Sequence, residues 1–431
     1  MIDPHLLLTD FDATARRLAR KKVDRATLDE ARTLVERRRA LVHEVDEMRA
    51  AMNAASKEIG KLMGAGRRDE AEAARAQVAQ RKGELEALEA RLRQAQDELD
   101  YAMLRIPNLP DDAAPEGTGE ESNVVLRTHG YRPEDYAGRG LKPHWEVAGA
   151  LGIMDNERAA KISGAMFALL RGPGARLLRA LVKFGLDCNE GRYEEILPPH
   201  FVRTETFTAT GHLPKFEPDA YRLRDDDLWA IPTGEVPLMS MHRDEILAEE
   251  ELPRRYMAHT ACFRRESGSA GKDTRGLQRL HEFHKVELVK LCTPAQVQAE
   301  FEALVADAER PLRLLGLPYR VVDLCAGDLT FGAARVYDLE VYAPGLDRWL
   351  EVSSCGIYTD FQTRRGNIRY RPAGGGKPEL CCAMNGSGLA TPRVWAALIE
   401  HGQQPDGSVR VPDPLVPFMG TDVIRGPVQA G

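Results

Sequence analysis

From Ala31 to Ile106 the apolar positions recur at heptad spacing. Leu34, Leu41, Met48, Ala55 and Leu62 form one seam, and Ala31, Val45, Met52 and Ile59 form a second, interrupted by Arg38. After Gly64-Ala65-Gly66 the pattern restarts, with Ala71, Val78, Leu85, Leu92, Leu99 and Ile106 on one seam and Ala74, Leu88 and Ala95 on the other. Apolar residues spaced in this way bury one stripe of a helix against a partner, and two such runs joined by a tight turn lie antiparallel. The spacing predicts an α-helical coiled-coil hairpin over residues 27–104, with arms of about 35 residues and on the order of 50 Å. A short helical lead-in precedes it, with Asp10 and Asp12 as candidate caps. Ile106-Pro107-Asn108-Leu109-Pro110 closes the hairpin, because its two prolines cannot continue a helix.

Residues 107–143, rich in Pro, Gly, Asp and Glu, read as a linker with little structure of its own. From His144 to the end the pattern becomes that of a mixed domain. A strand is expected at Met166 to Leu170 and an amphipathic helix at Gly174 to Phe184. Glu194-Glu195-Ile196-Leu197-Pro198-Pro199 ends a strand at a diproline, which suits an edge or an interface. Leu228 to Leu238, the two ends of Cys262 to Val289, Tyr319 to Leu324, Asp338 to Ala343 and Trp349 to Ser354 supply further strands. A single helix, Pro294 to Leu315, intervenes. Strands crowded together in this way predict an α+β domain whose mostly antiparallel sheet carries helices on one side. No G-x-G-x-x-G follows a strand and G-x-x-x-x-G-K-[ST] is absent, which disfavours both common phosphate-loop folds.

Length and charge add constraints. A chain of 431 residues accommodates two or three domains. A net charge of -7 argues against a wholesale nucleic-acid coat but leaves room for a local basic surface. Arg37, Arg38, Arg39, Arg49, Lys57, Lys61, Arg67 and Arg68 form such a strip on the first arm and its turn. It is either a solvated face with i,i+4 pairs or a track for an RNA backbone. The seven cysteines are an odd number without a C-x-x-C pair, so reduced thiols and a cytoplasmic location are expected, with no zinc ligand set. No basic leader or run of roughly 18 apolar residues is present, which argues against secretion and membrane insertion.

Candidate chemistry concentrates between Cys262 and Val289. Two strand segments flank a Gly/Ser-rich loop carrying Lys272, Asp273 and Arg275. Arg264 and Glu266 stand at its entrance, Phe283 at its exit and Glu287 beyond. Arginine can hold phosphate, an aromatic ring can stack on a base, and carboxylates can take amines or metal. The same stretch also reads as a salt-bridged surface hairpin. Glu287 is the most telling residue, since it shares a strand face with Lys285 and Val289 and a buried carboxylate needs a partner. Thr233-Gly234-Glu235, Glu351-Val352-Ser353-Ser354 and Asn385 to Arg393 are further polar clusters on or beside strands.

Together these motifs resemble the class II aminoacyl-tRNA synthetases, and among them the bacterial-type seryl-tRNA synthetases. Tyr193 to Pro199 is similar to motif 1, Phe263-Arg264-Arg265-Glu266 through Phe283 to Glu287 to motif 2, and Gly386 to Ala390 with Arg393 to motif 3. Thr233-Gly234-Glu235, Phe361 to Arg365 and Ile368 to Arg371 match further seryl-family signatures. The resemblance implies a serine–tRNA ligase that forms seryl-adenylate from L-serine and ATP and passes the seryl group to the 3′ end of tRNA(Ser), with tRNA(Sec) as a second acceptor. It implies that Arg264, Glu287 and Arg393 carry the chemistry. ATP contacts would come from Arg264, Arg265, Glu266, Phe283, Glu351, Val352, Ser353, Ser354 and Arg393, with Phe283 and Arg393 sandwiching adenine.

Under the same resemblance Glu351 and Ser354 would hold Mg²⁺. Thr233, Gly234, Glu235, Arg264, Glu287 and Ser387 would surround serine. The helical hairpin would bind tRNA, the charged motif 2 loop would meet its acceptor end, and the chain would form a homodimer near Pro198 and Pro199. Gly234 stands where the family usually has Ala and loosens the backbone there. Gly356 and Pro392 also depart from the family pattern, Pro392 stiffening a helix start. These departures leave open a paralogue that supplies serine to a carrier protein or a secondary metabolite. A non-catalytic tRNA-binding homologue is the other alternative, and the retained Arg264, Glu287, Glu351 and Arg393 argue against it.

Overall fold

The computed structural model describes residues 1–267 and 275–426. Lys272, Asp273 and most of the charged loop fall outside the described residues. The chain divides into two compact units, Ile2–Pro107 and the part from Asn108 onward.

In the first unit, helices α1 (Arg25–Gly64) and α2 (Arg68–Leu104) form the expected hairpin, turning at residues 65–67. Leu41, Val45, Leu88 and Ala95 are buried at its seam, with Leu85 and Leu92 packed against them. The interrupting Arg38 does not enter the seam; its Nε donates to Gln96 Oε1 across the hairpin at 2.6 Å. Toward the start of α1 burial shifts to Leu28, Ala31 and Val35, leaving Leu34 half-buried. There the lead-in helices Leu6–Thr9 and Phe11–Ala19 pack on α1, and Arg25 and Arg32 lie 4.9 and 4.5 Å from the Phe11 ring centroid. Asp10 stands at the start of the second lead-in helix but makes no side-chain cap, and Asp12 instead accepts from Arg25 at 2.7 Å. The basic strip is partly neutralised: Arg37 pairs with Glu98 and Arg49 with Glu89, each at 2.7 Å, and Lys61 with Glu58 at 3.3 Å.

The second unit is built on an eight-stranded sheet. In chain order its strands are β1 (Val124–His129), β2 (Glu194–Glu195), β3 (Arg254–Phe263), β4 (Glu282–Cys292), β5 (Tyr319–Asp323), β6 (Arg335–Ala343), β7 (Arg348–Thr359) and β8 (Cys382–Ala390). They lie side by side in the order β1-β5-β6-β7-β8-β4-β3-β2. Every pairing is antiparallel except that of β2 with β3.

Helices α3 (Pro173–Asp187), α5 (Val297–Leu314) and α7 (Thr391–His401) bury their apolar stripes on one face, against Val286 and Leu288 of β4, Leu339 of β6 and Met384 of β8. The short helices α4 (Glu235–Ser240) and α6 (Phe361–Gly366) lie toward the opposite side, where Glu235 and Gln362 line a cleft. Pro392 sits in the first turn of α7, where its missing N–H costs no helical bond.

Three sequence expectations need correction. The stretch 107–143 is not an unstructured linker: β1 pairs with β5 and forms one edge of the sheet, though all six of its residues are exposed. Exposure removed the apolar alternation by which such a strand is recognised. Met166 to Leu170 forms no strand; Met166 has φ +61° and only Leu170 makes an isolated bridge, with Met154. Leu228 to Leu238 is not one strand but a two-residue strand, Trp229–Ala230, followed by α4. Pro232 and Gly234 break the extended run between them.

Candidate active site

Side-chain alternation gives the sheet two chemical faces. On β4, Val286 and Leu288 enter the helix-covered core while Lys285 and Glu287 face the other way, into a cleft of about 800 Å³. Two bulges adjust the neighbouring strands to that face. Opposite Leu339 and Glu340 of β6, strand β7 has Ser353 and Glu351, so Val352 is an extra residue. Glu351 and Ser354, three apart, thereby both reach the cleft. On β8 Gly388 is the extra residue, which leaves Ser387 directly opposite Glu287 and Leu389 opposite Val286. A Cβ on Gly388 would lie 3.1 Å from Leu288 Cγ, tight for any larger residue.

The buried centre of the cleft is a three-residue network. The Lys285 ammonium contacts the Glu287 carboxylate and donates to Thr233 Oγ1 at 2.9 Å; Thr233 donates to Glu287 Oε2 at 3.1 Å. Thr233 Oγ1 also accepts the backbone N–H of Glu235 at 3.2 Å, which uses its one donor and two acceptor sites. Burial pushes the Glu287 carboxyl upward, and Lys285 and Thr233 oppose that shift by stabilising the anion. Both contacts fall on Oε2, so Oε1 is left for a ligand.

Next to it Glu235 is buried at the start of α4 and accepts from Gln362 Nε2. Burial raises its carboxyl to about 7, with Gln362 opposing. His212 is driven down to about 3 by burial and by the charges of Arg264, Lys285 and Arg365, so its imidazole is neutral. A Cβ on Gly234 would lie 3.1 Å from Glu287 Cβ. With φ -62° and ψ -18°, Gly234 adopts ordinary helical backbone, and what its size permits is close approach to Glu287 rather than looseness.

The other half of the cleft carries the expected nucleotide residues. The Arg264 guanidinium lies 5.1 Å from the Phe283 ring centroid, and its Nε donates to Pro232 O at 3.3 Å. Arg393 Nη1 donates to Glu351 O at 2.6 Å and stands 3.5 Å from its carboxylate; Arg393 Nε donates to Gln278 O at 3.2 Å. In this structure it is thus Arg264, not Arg393, that covers Phe283. Glu266 pairs with Arg279 at 2.5 Å.

Gly234, which has no side chain, and two further expected residues do not line the cleft. Arg265 lies 5.8 Å from the Tyr221 ring centroid, and Ser353 is buried with its hydroxyl on Ser387 O at 2.8 Å.

Beside Glu351 and Ser354 stands Asp338, paired in register with Ser354 and lining the same cleft. Its Oδ1 is buried without a hydrogen-bond partner, and burial together with the Glu351 carboxylate pushes its acidity down. An orphaned carboxylate oxygen next to a second carboxylate and a hydroxyl is a hard-oxygen donor set that suits a divalent cation. Among the described residues no three His, Cys, Asp or Glu side chains converge as a metal cage. A cation here would complete its shell with phosphate and water, as Mg²⁺ does.

Sequence reasoning placed Lys285 on the face of Glu287 without giving it a role, and Gln362 within a signature. Asp338 and His212 carried no signal, because only the fold brings β6 and residues 210–212 to the cleft. The seven cysteines are all free, six of them buried.

Comparisons with known proteins establish the family. Residues 1–110 match the seryl-tRNA synthetase N-terminal domain, and residues 215–402 the class II tRNA synthetase core domain of the G, H, P, S and T enzymes. The chain is 48% identical to a serine–tRNA ligase of Thermomicrobium roseum, over 96% of this chain and 92% of that protein. It is 46% identical to the serine–tRNA ligase of Bacillus subtilis, over 99% and 100%. Among solved structures, the seryl-tRNA synthetase of Pyrococcus horikoshii complexed with ATP superposes with a TM-score of 0.90 at 32% identity, covering 99% of this chain and all of that one. The chain belongs to the seryl-tRNA synthetase family, within the class II tRNA synthetases.

Proposed function

We propose that the protein is an ATP-dependent serine–tRNA ligase that works at this cleft. The observation that supports it most directly is the Lys285–Glu287–Thr233 network facing Ser387, set beside Arg264, Phe283 and Arg393. Glu287 Oε1 and Ser387 hold the serine hydroxyl, and Glu235 takes its ammonium group. A site built to hydrogen-bond a hydroxyl rejects alanine, because alanine would leave those buried groups unpaired.

A serine carboxylate oxygen attacks the α-phosphorus of ATP, the bond to the β-phosphate breaks, and pyrophosphate leaves. Arg264 stabilises charge building on the α-phosphate, and in moving to do so it uncovers Phe283 for the adenine ring. Arg393 closes the other side of the base. Glu351 and Ser354, with Asp338 beside them, are the residues to hold Mg²⁺, which neutralises phosphate charge when bound. The 3′ end of tRNA then attacks the seryl carbonyl and AMP departs. Neither step needs a covalent enzyme intermediate, so positioning and electrostatics carry the catalysis.

The hairpin is the tRNA-gripping unit: Arg39, Lys57 and Arg68 project from it as exposed cations, while Arg37, Arg49, Lys61 and Arg67 of the same basic strip are paired with carboxylates of the hairpin itself. Leu197, 88% exposed, and Phe201 beside the edge strand β2 support a homodimer contact near Pro198 and Pro199. Free thiols fit a cytoplasmic enzyme, and among the described residues no helix is long and apolar enough to cross a membrane. Serine-dependent ATP–pyrophosphate exchange together with tRNA(Ser) charging tests the reading. Absence of exchange refutes it, and exchange without charging points to serine delivery to another acceptor.

A further inference from the structure

We propose that His144 is a positioning residue for the nucleotide half of the cleft, holding the segment Leu277–Arg279 in place through a single backbone hydrogen bond. The inference rests on the ATP-site reading above. His144 lies at the start of the helix His144–Ala150 and is completely buried. Its Nε2 accepts the backbone N–H of Leu277 at 3.0 Å, and its Nδ1 stands 2.9 Å from Glu400 Oε1. An amide N–H can only donate, so Nε2 carries no proton and the Nδ1–H donates to Glu400; the partner at one ring nitrogen fixes the state of the other.

Glu400 is itself fixed. It is fully buried on α7, where Oε1 also accepts the backbone N–H of His144 at 3.0 Å and Oε2 that of Gly345 at 2.8 Å. Three elements therefore orient one imidazole, and its remaining lone pair serves only the chain returning to β4.

That returning segment forms the wall of the nucleotide half. Leu277, Gln278 and Arg279 line the cleft. Gln278 O accepts from Arg393, and Arg279 pairs with Glu266. Gly276 supplies the second, independent observation. It has φ +67°, a region that favours glycine, and a Cβ there would lie 2.1 Å from His144 Nε2 and 2.8 Å from the Trp145 ring. The amide of Leu277 can reach the imidazole only because position 276 has no side chain. Thr233, Glu235 and Ser387 sit on other elements and Glu287 lies further along β4, and their hydrogen bonds go to residues other than Leu277–Arg279.

The test compares His144→Leu, which keeps bulk but offers no acceptor, with His144→Gln, whose carbonyl can replace Nε2. ATP affinity is measured by calorimetry without serine, and both KM values by pyrophosphate exchange with active sites titrated. His144→Leu is expected to weaken ATP binding and raise KM for ATP about tenfold, the usual scale for a lost bond to a buried donor, with KM for serine unchanged. His144→Gln should recover most of that loss. Gly276→Ala, which leaves His144 and Glu400 intact, should give the same split and carries the test if His144→Leu does not fold. An equal rise in both KM values, or a lower active fraction with unchanged ATP affinity, overturns the proposal in favour of a purely structural pair. Failure of the wild-type protein to exchange while it still binds ATP refutes the ligase reading alone, and the ratio of ATP affinities still decides this one.

Discussion

Replacing Lys285 by methionine would leave the Glu287 carboxylate buried without its cation, and the cost can be bounded. A carboxylate stranded in this way escapes by taking up a proton, so the penalty cannot exceed the work of protonating it at the pH of measurement. With an unfolded value near 4.5, that ceiling is about 4 kcal/mol at pH 7.5 and about 1.4 kcal/mol at pH 5.5. The first figure agrees with the roughly 3–5 kcal/mol typical of removing one partner from a buried pair. In the variant the folded pKa of Glu287 lies above its unfolded value. Burial already raises Glu287 in the wild type, so the gap between the two proteins is absent below about pH 4.5, opens above the wild type's raised value and grows until the variant's own folded pKa is passed.

A unit of about 320 residues has an unfolding entropy near 0.7 kcal/mol/K, so Tm should fall by at most roughly 6 °C at pH 7.5 and at most roughly 2 °C at pH 5.5. Scanning fluorimetry of wild type and Lys285→Met at both pH values measures the two gaps. The double variant Lys285→Met/Glu287→Gln should regain most of the stability, because the amide needs no counter-charge. A gap that stays constant or widens at pH 5.5 would mean that Lys285 does not stabilise the Glu287 charge, and the account of the cleft's centre would be wrong.

Three further outcomes are expected. Because burial holds the free Glu235 carboxyl near 7 and a bound ammonium favours its ionised form, KM for serine should rise as pH falls below 7. Glu235→Gln should abolish that break; a break that persists assigns it to another group. Deleting Arg32 to Leu99 and rejoining the ends should leave ATP–pyrophosphate exchange intact and eliminate tRNA charging, and charging at the wild-type rate would remove the hairpin from tRNA recognition. Within the hairpin, Leu41→Ala should lower amide hydrogen-exchange protection at least about thirtyfold, the equivalent of ~2 kcal/mol of buried leucine, whereas Arg49→Ala should cost less than about fivefold. Equal effects would show that cross-helix ion pairs, not the apolar seam, hold the arms together.

The hairpin was readable because its signal is long and periodic: each buried seam residue repeats a spacing, and Gly64-Ala65-Gly66 marks the turn. The central strands were readable for a related reason, since Val286 and Leu288 alternate with Lys285 and Glu287. Strand β1 was not, because a wholly exposed edge strand has no buried face to impose alternation. Pro232 and Gly234 hid the start of α4 inside an apparently extended run.

For the site, side-chain chemistry proposed Arg264, Phe283 and Glu287, and family resemblance supplied most of the rest. Asp338 and His144 escaped both. Each meets its neighbours across strands or helices far apart in the chain, and a single acidic or imidazole residue announces no partner. The bulge at Val352 was equally invisible, since strict alternation would put Glu351 and Ser354 on opposite faces.

The extra residues at Val352 and Gly388 also decide where this sheet can change length. Removing either one would straighten its strand and leave its neighbours on the faces they now occupy. A residue lost from β4, which is unbulged between β8 and β3, would instead turn residues on one side of the loss over, putting Glu287 into the core or Leu288 into the cleft. Insertions and deletions in related chains can therefore accumulate at these bulges, and likewise at those of Leu126 and Tyr358, while the strand that bears Glu287 is held to a fixed count.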